Sequence, residues 1–213
     1  MPDTTYFIRE TFPVGPLQCN CTIIGNRLTG NAIVVDPGGS PAMITAKLNA
    51  MELKVIALVH THAHFDHFLA SGEIKKQTGA PIYLHKEDQF LWNNLELQCK
   101  MFNVPYHPVP DPDFWLQDDQ ALPCNQGCCI HTPGHTPGSM SFWFAQEKLL
   151  IAGDTLFRGA IGRTDLWGGD FKTIEKSIRQ RLYILDEDAV VVTGHGPETT
   201  IGKEIRENSV IRG

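Results

Sequence analysis

The chain has 213 residues, 42% of them hydrophobic and 20% charged, and a formal net charge of −6. No apolar run approaches the roughly 18 residues of a membrane span, so no membrane partner is expected. With no Lys/Arg cluster to neutralise phosphates, the balance also argues against a nucleic-acid partner.

The length fits a single domain over 1–213 with a sizeable core. Met1 to Tyr6 has neither a basic region nor an apolar signal core, which makes the expected location cytoplasmic. Tyr6 to Thr11 predicts an edge strand that ends in a turn at Pro13-Val14-Gly15-Pro16. Cys21–Ile24 and Ala32–Val35 read as two further strands around a turn at Gly25–Gly30, an opening β-meander. Asp36-Pro37-Gly38-Gly39 closes that run, and Ser40 is placed to cap a helix carrying Ile44, Leu48 and Met51. Asp36 is an ordinary turn residue by composition. Its place at a strand end also fits an acceptor that orients a ligand histidine.

Val55–Val59 is a buried strand, and directly after it comes Thr61-His62-Ala63-His64-Phe65-Asp66-His67. In an extended loop His62 and His64 point the same way, so they can share a metal ion. Asp66 and His67 fall at the start of a helix predicted to run to Gly79, where their directions favour a second, neighbouring site.

Ile82–Leu84 predicts a short strand and Lys86–Leu97 a helix. The four prolines within 104–113 forbid regular helix there, which leaves a surface loop that either shapes substrate entry or only links. His60, His85, His107 and His131 have no partners at ligand spacing and receive no role. Cys128–His131 reads as a strand running into Thr132-Pro133-Gly134-His135-Thr136-Pro137-Gly138, where two Pro-Gly turns present His135 from a rigid loop. Met140–Phe144 and Lys148–Ala152 form paired strands, and Gly153-Asp154-Thr155 sets a carboxylate at the end of the second. Phe171, Ile174, Ile178 and Leu185 mark an amphipathic helix. Ala189–Thr193 is a buried strand leading to Gly194-His195-Gly196-Pro197. The six cysteines lack the spacing of a zinc ribbon or a thioredoxin motif and read as structural thiols. No tandem repeat is visible, although both halves run strands before helices.

These blocks, from Val35-Asp36-Pro37-Gly38 through the histidine cluster, the Pro-Gly-His loop, Gly-Asp-Thr and Gly-His-Gly-Pro, resemble the metallo-β-lactamase superfamily. The resemblance implies an α/β fold: an αββα sandwich of two mixed β-sheets flanked by helices, with a metal site at one edge. Arg158 to Asp165 further resembles the glyoxalase II and persulfide dioxygenase branches. Carried over, the resemblance puts one metal on His62, His64, His135 and Asp154 and another on Asp66, His67, His195 and Asp154. It sets Arg163 where related enzymes bind the glutathione carboxylate, a group an Arg fork fits; a salt bridge to Asp165 is the simpler use of the same side chain. A bridging aspartate is absent from true β-lactamases of this fold, so Asp154 counts against antibiotic hydrolysis. Full-length glyoxalase II enzymes add a C-terminal helical region after the last histidine motif, so the similarity is to a single-domain form.

The nitrogen and oxygen donors exceed what one tetrahedral zinc needs, which favours two divalent ions. Zinc is the expected ion, and imidazole and carboxylate also accept iron or manganese. A hydroxide bridging such a pair attacks a thioester carbonyl, with Asp66 as the catalytic residue that orients it. The thiolate leaves without strong acid help, since a thiol has a pKa near 8.5. The expected substrate is a small-molecule thioester, a glutathione conjugate of the S-lactoylglutathione type. Two alternatives stand beside this hydrolase: a mononuclear iron persulfide dioxygenase, and a non-catalytic metal or thiol-binding protein. The dioxygenase branch tends to carry alanine-histidine-aspartate where this chain has Gly194-His195-Gly196, which favours hydrolysis.

Overall fold

The computed structural model describes residues 6–213; the reading of the N-terminus rests on residues outside these. The chain folds into two compact halves, one ending at Trp115 and the other beginning at Leu116.

The first half opens with the expected meander. Strands β1 (Phe7–Val14), β2 (Cys19–Asn26) and β3 (Asn31–Val35) pair antiparallel in sequence order. β1 runs through Pro13, beyond the expected end. Among the described residues it pairs only with β2, and an edge strand tolerates the missing N–H, so the turn begins at Gly15 instead. Helix α1 (Pro41–Ala50) then buries Ile44 and Leu48. Ser40 does not cap it. The residue sits in the left-handed region with φ 52°, and its hydroxyl accepts the Gly15 N–H at 3.3 Å.

Strand β4 (Lys54–Val59) returns parallel to β3, and the register sets Val35 beside Val59, so both strands end at one edge. The helix expected from Asp66 to Gly79 is two pieces, α2 (Phe65–Phe68) and α3 (Ser71–Thr78). The cause lies outside the segment. Ala70 gives its N–H to the Pro37 carbonyl at 3.0 Å, and the Asp66 carbonyl packs where a Cβ on Gly38 would stand 1.6 Å away. α3 stops on Gly79, left-handed at φ 73°, as its sequence predicts. Strand β5 (Ile82–His85) pairs parallel with β4. A single 3-10 turn over Lys86–Asp88 and helices α4 (Gln89–Asn93) and α5 (Leu95–Met101) replace the single helix expected over 86–97. Residues 104–112 have no regular structure, as their prolines require. β6 (Phe114–Leu116), where the chain leaves this half, completes the order β1-β2-β3-β4-β5-β6. Ile23, Val34, Ile44, Leu58, Phe68 and Ile82 lie in the core, each fully buried aliphatic adding about 1.5–3 kcal/mol.

The second half carries β7 (Cys128–His131), β8 (Met140–Phe144) and β9 (Leu149–Gly153) as an antiparallel run. A hairpin of β10 (Leu156–Phe157) and β11 (Ala160–Ile161) follows Asp154. Helix α6 (Phe171–Ser177) continues as one π turn over Ile178–Leu182, a wider winding than the regular spacing predicts. The fully buried line is Ile174, Ile178 and Leu182, while Phe171 stays exposed. β12 (Val190–Thr193) pairs parallel with β9, Thr193 beside Gly153; β13 (Thr199–Thr200) and helix α7 (Ile201–Glu207) close the order β13-β12-β9-β8-β7. The six-stranded and the five-stranded sheet are both mixed, and each contains adjacent parallel strands, β3 with β4 and β9 with β12, that end side by side. In α/β folds functional groups gather at such carboxyl ends.

All six cysteines are free, four of them buried, in line with structural thiols. No helix among the described residues is long and apolar enough to cross a membrane.

Candidate metal centre

In the first half the paired ends of β3 and β4 bring Asp36 against the histidine cluster. Asp36 N–H bonds the Val59 carbonyl at 3.1 Å, and the residue is left-handed at φ 49°, a conformation Asp tolerates better than most. Its buried carboxylate accepts the Thr61 N–H at 2.8 Å, the Thr61 hydroxyl at 2.6 Å and His67 Nδ1–H at 3.0 Å. The hydroxyl proton of Thr61 is therefore committed to Asp36. Thr61 Oγ1, 3.1 Å from His62 Nδ1, then accepts from that nitrogen. One carboxylate thus fixes the tautomer of two imidazoles, leaving the lone pair of each on Nε2, the form a metal ligand needs. The His62 ring stands 4.8 Å from His64 and 4.0 Å from His67, and His67 Nε2 lies 3.7 Å from Asp66 Oδ2.

In the second half β9 and β12 deliver Asp154 and His195 at one edge. Asp154 Oδ2 is 3.6 Å from His135 Nε2, and Oδ1 is 3.8 Å from His195 Nε2. Both distances are too long for hydrogen bonds. They fit two donors each about 2.1 Å from a shared cation, whose separation cannot exceed roughly 4.2 Å. His135 Nδ1–H donates to the Arg163 carbonyl at 2.8 Å, which again places the lone pair on Nε2. Two glycines make the room: a Cβ on Gly194 would stand 1.9 Å from Asp154 Oδ1, and one on Gly162 1.8 Å from the Asp154 carbonyl. Within each half, then, the expected donors converge, and their chemistry suits divalent cations.

The Arg163 side chain holds Asp165 through two bonds, Nε–Oδ1 at 2.7 Å and Nη2–Oδ2 at 2.8 Å, and both residues are exposed. That fork keeps the Asp165 carboxyl down at about 2. The simpler use expected of Arg163 is thus present.

Several contributors had no signal at ligand spacing. His60, buried against Trp92, donates Nδ1–H to the Tyr83 carbonyl at 3.0 Å and accepts from Ser71 Oγ at 2.8 Å; burial pushes it down to about 4, so it is neutral. Cys19 Sγ lies 3.5 Å from His67 Nδ1, and burial pushes the thiol up to about 12. Asp88 and Gln98 bond the backbone of the histidine loop. The proline-rich loop, through Val104, Pro105, His107 and Pro108, lines a cavity of about 900 Å³ with Leu69 and Ala70.

Residues 14–195 match the model of the metallo-beta-lactamase superfamily. The chain is similar to the hydroxyacylglutathione hydrolase GloC of Haemophilus influenzae, 36% identical over 93% of this chain and 95% of that one. Among solved structures it is similar to the BLEG-1 B3 metallo-beta-lactamase, 34% identical, TM-score 0.90, covering 97% of this chain and 100% of the other. It is also similar to TTHA1623 in a di-iron-bound form, 34% identical, TM-score 0.85, covering 92% and 96%. With donors, strand ends and family model in agreement, the chain belongs to the metallo-β-lactamase superfamily.

Proposed function

We propose that the chain is a thioester hydrolase acting on glutathione conjugates of the S-lactoylglutathione type. In this reading residues 1–213 act as one domain, and His62, His64, Asp66, His67, His135, Asp154 and His195 together hold two divalent ions, zinc first, with iron or manganese accepted. The carrying observation is Asp154, which turns one carboxylate oxygen toward His135 Nε2 and the other toward His195 Nε2. The likeness to GloC supports the substrate class, and the di-iron form of TTHA1623 supports a pair of ions.

Two ions held there supply a Lewis acid for the carbonyl oxygen and lower the pKa of bound water toward neutrality. The protein's own residues do the rest. Asp36 keeps His67, and through Thr61 also His62, in the Nε2 lone-pair form. Asp66 holds the proton of the attacking hydroxide in a hydrogen bond to a carboxylate oxygen, which turns the hydroxide's lone pair to the thioester carbon. As the carbon–sulfur bond breaks, the thiolate departs as a stable anion, because its conjugate acid has a pKa near 8.5. Arg163 binds a substrate carboxylate. The Arg163–Asp165 pair is exposed and screened by water, so a carboxylate of the substrate can replace Asp165 at little cost.

The likeness to BLEG-1 favours a second reading, β-lactam hydrolysis. One preparation separates the readings: elemental analysis, then assays with S-lactoylglutathione, a cephalosporin, and glutathione persulfide with an oxygen electrode. The proposal expects close to two ions per chain, thioester cleavage that chelation abolishes, and loss of cleavage in Asp154→Ala. Lactam turnover without thioester cleavage would replace it, as would oxygen uptake with a single tightly held iron.

A further inference from the structure

Alternate amides of the histidine loop are each taken by a buried side-chain acceptor. Thr61 N–H goes to Asp36 Oδ1 at 2.8 Å, Ala63 N–H to Asp88 Oδ2 at 2.9 Å, and Phe65 N–H to Gln98 Oε1 at 3.0 Å. Gln98 also donates through Nε2 to the Ala63 carbonyl at 3.1 Å and to the Leu91 carbonyl at 2.8 Å. Asp88 is fully buried and Gln98 is 4% exposed. Side chains alternate along an extended segment. Pinning the amides of residues 61, 63 and 65 therefore fixes the direction in which the intervening His62 and His64 project. The odd-numbered side chains, Thr61, Ala63 and Phe65, are buried.

We propose that Asp88 and Gln98 are positioning residues for the metal centre: they hold the Ala63–Phe65 backbone so that His62 and His64 are aimed before any ion arrives. The inference rests on the reading of His62 and His64 as ligands. Neither residue needs to touch an ion or a substrate. Asp88 ends the 3-10 turn and Gln98 lies in α5, so the packing of these helices is transmitted to the ligands through three hydrogen bonds to the loop backbone. Loss of one bond leaves a buried loop amide without its acceptor and the loop free to rotate about His62 and His64.

The test uses the full chain and the variants Asp88→Ala, Asp88→Asn and Gln98→Met, with two readouts. The first is zinc affinity per folded molecule, by competition with a chromophoric chelator. The second is hydrogen exchange of the Ala63 and Phe65 amides in metal-free protein. We expect Asp88→Ala and Gln98→Met each to weaken zinc binding about tenfold, and Asp88→Asn, which keeps an acceptor for Ala63 N–H, to stay within about threefold of the parent. Exchange should speed about tenfold or more at Ala63 in Asp88→Ala and at Phe65 in Gln98→Met. Parental zinc affinity in folded Asp88→Ala and Gln98→Met would overturn the inference, as would Asp88→Asn as weak as Asp88→Ala. If Asp88→Ala does not fold, Gln98→Met decides. A parent that binds no zinc refutes the ligand reading instead, and the exchange readout still decides whether the two side chains hold the loop.

Discussion

Asp36 accepts His67 Nδ1–H at 3.0 Å while its carboxylate also takes both donors of Thr61. Three buried donors therefore depend on one carboxylate. Asp36→Ala leaves all three unsatisfied, at about 1–3 kcal/mol each, so a loss of roughly 3 kcal/mol or more is expected in urea unfolding of metal-depleted protein. Zinc affinity should fall about 10- to 100-fold, because two tautomers are released together. Parental stability in Asp36→Ala would show that the donors find other acceptors.

Gly194 tests the geometry around Asp154. A methyl group there would stand 1.9 Å from Asp154 Oδ1, so Gly194→Ala must turn the carboxylate away from His195 or His135. The expected outcome is a folded protein, by circular dichroism, with lower metal content by elemental analysis. Gly79→Ala is the control. That glycine has nothing within 4 Å of an added Cβ but a positive φ, so it should cost about 1 kcal/mol and leave the metal content unchanged.

The strand ends that carry the candidate donors were legible in the sequence because strand-to-loop junctions are marked twice over, by short apolar runs and by Gly and Pro. Val55–Val59 before His62 and Leu149–Ala152 before Asp154 are both of this kind. What stayed hidden depends on residues far along the chain. The break between α2 and α3 follows from Pro37 and Gly38, some thirty positions earlier, and no local propensity records it. Asp88 and Gln98 meet the histidine loop across 25 to 35 residues, and each taken alone is an ordinary polar residue in a helical stretch. Ser40 misled for the opposite reason: a good capping residue is present, but its left-handed backbone turns the hydroxyl to Gly15.

Alkaline stability follows from buried thiols and a half-buried phenol, Cys19 among them, and two of these groups lie in the second half. Burial pushes the Cys129 thiol from 9.0 up to about 12 and Tyr183 from 10.0 up to about 12. Each unfolded group releases its proton first, so above pH 9 the unfolded state holds fewer protons and stability declines with rising pH. The stabilisation is whole below pH 9 and is lost between pH 9 and 12, with Cys129 contributing on the order of 4 kcal/mol at most. Urea unfolding at pH 8, 9, 10 and 11 should show this fall, shallower in Tyr183→Phe. A flat profile would mean that these buried thiols and Tyr183 ionise normally in the fold.

Glu204 braces the hairpin that follows Asp154 and leads to Arg163. Its fully buried carboxylate accepts Gly159 N–H at 2.8 Å, Asn208 Nδ2–H at 2.8 Å and the Thr199 hydroxyl. Gly159 is the turn between β10 and β11, on the segment that runs from Asp154 to Arg163, whose carbonyl holds His135. Glu204→Ala strands two N–H donors and should cost about 3 kcal/mol in urea unfolding. Glu204→Gln separates hydrogen bonding from charge. Its amide oxygen can take the place that faces Gly159 and Asn208, and its NH₂ then meets Thr199, whose hydroxyl can turn to accept. That variant should stay within about 1 kcal/mol of the parent. If it falls as far as Glu204→Ala, the negative charge itself holds the hairpin, and the Gly159 amide should exchange equally fast in both.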